Sequence, residues 1–339
     1  QIRDKSMSTL ISESSLSLDF GHQPLFKALS FTLSLGDRIG LVGHNGSGKS
    51  SLLALLSGRL SDHSGQLQRA QACRLEYVEQ KLPPELMPLS ARAILHQAMG
   101  AETPAWQVER LLDDLGFETV ADTPADRLSG GYHNRLLLGR AIARDPNLLL
   151  LDEPSNHLDL PSILWLEDFL RRWRGGFILV SHDQSLLDRV SDKTWFLRDK
   201  GLVCIDLPFG PARQALTEAD EAAKLRHGSE QKEIERLDAS RKRVAEWGRA
   251  HDNEKLIRKA RSMQKRVDRL KEEQTQLTQN SPWRLRLRGR AMEADFLMSF
   301  KGLEVRAAPS APVLFRAEDF WVKPGDRIAL LGENGSGKS

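Results

Sequence analysis

The chain has 339 residues, 40% of them hydrophobic, and a formal net charge of +3. Its length suggests about two domains, and no run approaches the roughly 18 consecutive apolar residues that a membrane-crossing helix needs. The two cysteines, Cys73 and Cys204, lie far apart without a CxxC. That excludes a disulfide framework and a CxxC zinc site and fits a reducing cytoplasm.

Residues 1–6 are polar and precede Met7, which reads as a natural start. Residues 7–210 alternate apolar strand runs with helical patterns, as an α/β domain does. Phe20 stands 23 residues before Gly43. It suits either adenine stacking or a core. Arg38-Ile39-Gly40-Leu41-Val42 predicts a buried strand. It feeds Gly43-His44-Asn45-Gly46-Ser47-Gly48-Lys49-Ser50, a match to G-x-x-x-x-G-K-[ST], and residues 51–60 then predict a helix. Glycines at these spacings leave backbone N–H groups open to phosphate oxygens at a positive helix end. Lys49 adds a charge for the β- and γ-phosphates, and Ser50 offers a hydroxyl to Mg²⁺.

Gln80 follows the run Leu75-Glu76-Tyr77-Val78, within reach of metal and water at a strand end. Pro83, Pro84 and Pro88 open a helical region that reaches about residue 115. Leu128-Ser129-Gly130-Gly131-Tyr132 precedes a helix, as either an anion site or a plain N-cap. Residues 148–151 are four leucines, a central strand, and run into Asp152-Glu153. In that setting Asp152 holds Mg²⁺ and Glu153 polarises water; taken alone, the pair equally fits a capped strand. Residues 177–180 form another apolar strand and end in Ser181-His182-Asp183. A lone histidine is more often structural, but this one falls on the sheet edge where ligands bind in open α/β folds.

Residues 211–290 carry 21 Lys and Arg against 13 Asp and Glu, so the basic excess sits in one segment. Ile234, Leu237, Val244 and Trp247 make one narrow apolar stripe. Ile257, Ala260, Met263, Val267, Leu270 and Leu277 make another. The spacing predicts two helices paired along a thin seam, with a turn at residues 248–253 and arms of about 28 residues, each roughly 40 Å long. Arg258, Lys259, Arg261, Lys265, Arg266 and Arg269 cluster after that turn. They suit phosphate contact without base specificity, or a solvated helix surface. Residues 291–339 repeat the start of the chain: Gly332-Glu333-Asn334-Gly335-Ser336-Gly337-Lys338-Ser339 copies the first loop at an offset of 289. Leu314-Phe315 and Gly325-Asp326-Arg327-Ile328 answer Leu25-Phe26 and Gly36-Asp37-Arg38-Ile39 at the same offset. The copy stops before its helix, so a disordered or non-functional second loop is expected.

Taken in order, these elements resemble the ATP-binding cassette ATPase domain. The resemblance makes Phe20 the A-loop, residues 43–50 Walker A, Gln80 the Q-loop, residues 128–132 the signature, residues 148–153 Walker B and His182 the H-loop. Ser155-Asn156-His157-Leu158-Asp159 is similar to the D-loop of the ABC-F subfamily, as are tandem cassettes joined by a charged helical linker. The implied architecture is a P-loop α/β cassette at residues 7–210, a helical hairpin linker at 211–290 and a C-terminally truncated second cassette at 291–339. The implied ligands are ATP, held by Phe20, residues 43–50 and Ser51, and Mg²⁺, held by Ser50, Gln80 and Asp152.

The resemblance implies catalysis by Glu153 and His182. It also implies a sandwich in which Ser129, Gly130 and Gly131 face another cassette, by head-to-tail pairing of two copies if necessary. It implies a cytoplasmic protein on the ribosome, its linker touching tRNA or rRNA through Arg258, Lys259, Arg261, Lys265 and Arg266. Two departures stand out: Tyr132 replaces the commoner Gln of the signature, and Pro309 aligns with Phe20. The competing readings are the ATPase subunit of a membrane transporter and a non-catalytic ATP-sensing scaffold.

Overall fold

The computed structural model describes residues 8–20, 23–61, 63–156, 158–251, 253–275, 295–306, 313–330, 332 and 336. It divides into two compact units, Gln1–Phe209 with Leu285–Ser339, and Gly210–Arg284.

The first unit opens with an antiparallel pair, β1 (Thr9–Phe20) and β2 (Gln23–Ser34). There follow β3 (Arg38–Val42), α1 (Lys49–Leu56), β4 (Gln68–Arg69), β5 (Leu75–Val78), α2 (Ala91–Met99) and α3 (Ala105–Leu115). Next come α4 (Gly130–Ile142), β6 (Leu148–Asp152), α5 (Leu160–Arg172), β7 (Gly176–Val180), α6 (Gln184–Val190), β8 (Lys193–Arg198) and β9 (Gly201–Ile205). Two sheets result. One has the order β2-β1-β4, and the other has the order β5-β6-β7-β3-β8-β9. The larger sheet is parallel except for β9, which returns antiparallel to β8.

The apolar runs explain this layering. Every residue of β6 and of β7 is buried, as strands covered on both faces must be. Side chains alternate between faces. Leu148 and Leu150 of β6, Ile178 and Val180 of β7, and Ile39 and Leu41 of β3 share one core with Leu52, Leu53 and Leu56 of α1. The same core takes Phe26, Leu29 and Leu33 from β2. Helix α1 therefore packs on both sheets at once, which fixes where its N-terminus stands. The register sets Ile39 beside Ile178, and Ile178 beside Leu150.

The second unit is a helical hairpin with unequal arms. α7 (Phe209–Ala250), which begins at the last residue of the first unit, runs for 42 residues and α8 (Glu254–Glu272) for 19, about 63 Å and 28 Å at 1.5 Å per residue. The two equal arms expected from the sequence are corrected here. Pro211 lies in the first turn of α7, where a missing N–H costs nothing, just past the unit boundary between Phe209 and Gly210. Ile234, Ala260 and Val267 are buried in the seam. Trp247 is not: it is 69% exposed, with its ring centroid 5.6 Å from that of His251. Gly248 is buried in its place, and a Cβ there would lie 3.1 Å from side-chain atoms of both Leu256 and Ile257. The neck of the hairpin admits a glycine and excludes an indole. α7 continues to Ala250, and the Asn253 side chain caps α8 by accepting from Lys255 N and Leu256 N.

Within the first unit the repeated segment forms β10 (Met298–Phe300), β11 (Leu303–Arg306), β12 (Val313–Ala317) and β13 (Phe320–Val322). β10 pairs antiparallel with β13 and β11 with β12, the counterpart of the β1–β2 pair. The strand expected before the second loop does not form: residues 326–330 are irregular, with Ile328 62% and Leu330 64% exposed. Its counterpart β3 is held between β7 and β8, and the described residues of the repeat offer no such neighbours. Leu277, Pro309 and most of the second glycine-rich loop lie outside the described residues.

In denaturant unfolding, Ile234→Ala should destabilise the hairpin by about 2–4 kcal/mol. Trp247→Ala should stay within about 0.5 kcal/mol of the parent. Equal losses for both variants would show that the indole belongs to the seam.

Candidate nucleotide site at the carboxyl edge of the sheet

Strand β3 delivers the chain into the glycine-rich loop. Gly46 and Gly48 have φ of +80° and +98°, a region in which only glycine is unstrained. Gly43 is tight instead: a Cβ on it would stand 2.6 Å from the Leu197 carbonyl oxygen and 2.6 Å from Ser47 Oγ. Gly48 is the N-cap of α1 and brings no side-chain hydrogen bond. The first N–H groups of that helix therefore lack a side-chain partner, at the positive end of its dipole. Lys49 Nζ donates to the carbonyls of Gly43 at 2.9 Å and His44 at 3.3 Å. The ammonium thus folds back across the loop.

The opposite wall is the tip of β6. Asp152 is 3% exposed. Glu153 follows with φ 53°, a left-handed backbone that costs roughly 1–3 kcal/mol for a residue with a side chain. Its N–H donates to Val180 O at 2.9 Å, which ties this bend to the end of β7. His182 lies just beyond β7, with Nε2 3.2 Å from Glu153 Oε1. Ser155 Oγ and Ser181 Oγ, 3.0 Å apart, join the same two strand ends. On the other side Tyr77 of β5 donates its phenol to Asp152 Oδ2 at 3.3 Å. Burial, then the Asp152 charge and this hydrogen bond, push the Tyr77 phenol up to about 12, so it remains a donor.

These walls enclose an open cleft of about 470 Å³, lined by residues that include Leu25, Asn45, Gly46, Gly48, Lys49, Ser50, Ser51, Asp152, Glu153, Asn156 and His182. Ser47 Oγ, Asp152 Oδ1 and Glu153 Oε2 are buried without a hydrogen-bond partner. Unmet buried polar atoms are costly unless a ligand meets them. A lysine and a free helix N-terminus across from two unmet carboxylate oxygens fit a metal–polyphosphate complex, with anion on one wall and cation on the other.

Other sequence-derived residues fall elsewhere. Gly43 and His44 supply the carbonyls that hold Lys49. Gln80 is exposed in the turn after β5 and is not among the lining residues. Phe20 ends β1, but its ring lies outside the described residues. Ser129 caps α4 without using its side chain, and with Gly130 it is exposed and away from the cleft lining. Gly131 is buried, and a Cβ on it would collide with Ser162 of α5. Tyr132 packs on Phe117, with ring centroids 5.2 Å apart, and under the Arg135 guanidinium. Leu25, Asn156 and Tyr77 were not singled out from sequence. Of these, Asn156 alone had a local signal, lying inside the Ser155–Asp159 motif.

Fold and site together define a P-loop nucleotide-binding domain. The ABC transporter family profile matches residues 26–156. A nucleotide-free ATP-binding cassette from an ABC transporter superposes with a TM-score of 0.52 and 18% identity, covering 62% of this chain and 95% of that one. Ribosome protection protein VmlR of Bacillus subtilis is 28% identical over 98% of this chain and 60% of its own length. Probable ATP-binding protein YheS of Escherichia coli is 30% identical over 96% and 55% respectively. ATP-binding protein Uup of Buchnera aphidicola is 26% identical over 98% and 55%. Residues 26–156 thus carry the ABC transporter match, and the chain is similar to these relatives along nearly its whole length. It spans between half and two thirds of their length.

Lys49→Ala should weaken ATP binding about ten- to a hundredfold in calorimetry, the loss of a charge-assisted contact. Unchanged affinity would remove Lys49 from the phosphate site.

Proposed function

We propose that this is an ATP-binding and ATP-hydrolysing protein of the ABC-F type that acts on the ribosome in the cytoplasm. The observation that supports the nucleotide reading best is the opposition of Lys49 and the α1 N-terminus to the unmet oxygens of Asp152 and Glu153. Gly46, Gly48 and Lys49 bind the triphosphate, while Ser50 and Asp152 hold the metal. Mg²⁺ held by Ser50 and Asp152 would supply positive charge against the phosphates. Glu153 orients the attacking water and receives its proton, and His182 keeps that carboxylate facing the cleft. The strained Glu153 backbone aims the side chain away from the direction β6 would otherwise give it.

Ser129, Gly130 and Gly131 are presented to a second cassette, in the same protein or in another copy. Closure of two cassettes on ATP then shifts the population towards a closed form. Two observations favour the ribosome as partner: the similarity to VmlR along nearly the whole chain, and the exposure of Arg258, Lys259, Arg261, Lys265 and Arg266 on α8. These cations face solvent along one helix and suit tRNA or rRNA phosphates.

Two experiments test the two halves. Glu153→Gln should leave ATP binding intact and lower phosphate release about a hundredfold or more; faster release would overturn its role. Reversing Arg258, Arg261 and Lys265 to Glu should reduce co-sedimentation with ribosomes, most clearly at low salt, with ATP binding retained. Sedimentation equal to the parent would remove the hairpin from the interface.

A further inference from the structure

We infer that Tyr77 is a positioning residue that holds the Asp152 carboxylate in its metal-binding orientation. The inference rests on the nucleotide reading above. Tyr77 pairs in register with Leu150 on the neighbouring parallel strand. Asp152 lies two residues beyond Leu150, so it points to the same face. The Tyr77 phenol therefore reaches along the sheet to the carboxylate at the strand tip, where it donates to Oδ2 at 3.3 Å. Oδ1 is left buried with no partner, in a residue that lines the cleft. One oxygen is engaged by protein and the other is reserved.

An aspartate at a strand end can turn about its last side-chain bond. Mg²⁺ requires near-octahedral geometry at short range, so a turning carboxylate is a poor ligand. The phenol removes that freedom. The ring is itself held: the Arg59 guanidinium lies over it, 4.3 Å from the centroid. Arg59 Nη2 bonds Glu79 Oε1 at 3.3 Å, and Arg140 of α4 bonds Glu79 Oε2 at 3.3 Å. A continuous set of contacts thus runs from α4, the helix capped by Ser129, to the Asp152 carboxylate.

Tyr77→Phe removes the hydroxyl and keeps the ring under Arg59. ATP binding is measured by calorimetry in EDTA and then across a Mg²⁺ titration. The expected result is an EDTA affinity within about twofold of the parent, and a Mg²⁺ midpoint raised about five- to tenfold, as for loss of an outer-shell hydrogen bond. Arg59→Gln leaves the hydroxyl but frees the ring, and it should shift the midpoint the same way by a smaller factor. If Tyr77→Phe fails to fold, Arg59→Gln decides alone. A parent-like Mg²⁺ midpoint in a folded variant, when the parent itself responds to Mg²⁺, overturns the inference and leaves the nucleotide site standing. Loss of EDTA affinity in step with the midpoint also overturns it, as the mark of a merely structural tyrosine. If the parent chain binds no ATP under either condition, both readings fall.

Discussion

Asp152 and Glu153 stand side by side at the tip of a buried strand, each with a carboxylate oxygen that no protein group satisfies. Burying a charge in that state is among the most expensive things a fold can do. The surroundings show how the cost is contained. Tyr77 takes one oxygen of Asp152, His182 sits against one oxygen of Glu153, and the remaining pair opens on the cleft that Lys49 enters from the far side. The leucines of β6 and the flanking strands keep this tip rigid. The unmet oxygens are therefore a fixed demand for cation rather than a flexible one.

The glycine-rich loop and the carboxylate pair were legible in the sequence because each is local. A glycine pattern states its own backbone needs, and four leucines followed by two acids state both a buried strand and its end. Tyr77 was not legible, because its contact with Asp152 depends on strand register and spans 75 residues. Trp247 was misread for a related reason. Helical periodicity reports which residues share a face, but the width of the neck decides whether an indole or a glycine closes it. Gln80 shows the converse: its motif position is clear in the sequence, while its side chain remains exposed after β5.

The hairpin charges serve two ends. Arg258 pairs with Glu254 at 3.4 Å and Arg269 with Glu273 at 2.8 Å, each one helical turn apart. Such pairs add a few tenths of a kcal/mol to an exposed helix and spend part of the positive field locally. Lys259, Arg261, Lys265 and Arg266 of the same helix stand exposed to solvent. The basic excess is thus divided between holding the helix and facing solvent. A count of charges in the sequence does not make that distinction.

The central place of β3 has a consequence for how the protein is made. Its two neighbours, β7 and β8, end at Val180 and Arg198, more than 130 residues after β3 itself. Contacts this distant along the chain form slowly and only once both partners exist. During synthesis the glycine-rich turn emerges early, with Leu25 and Phe26 of β2 already beside it, but the strands that flank β3 exist only once β8 has left the exit tunnel. The nascent chain thus carries this loop without its strand neighbours through most of the domain's translation, and the finished cleft arrives late.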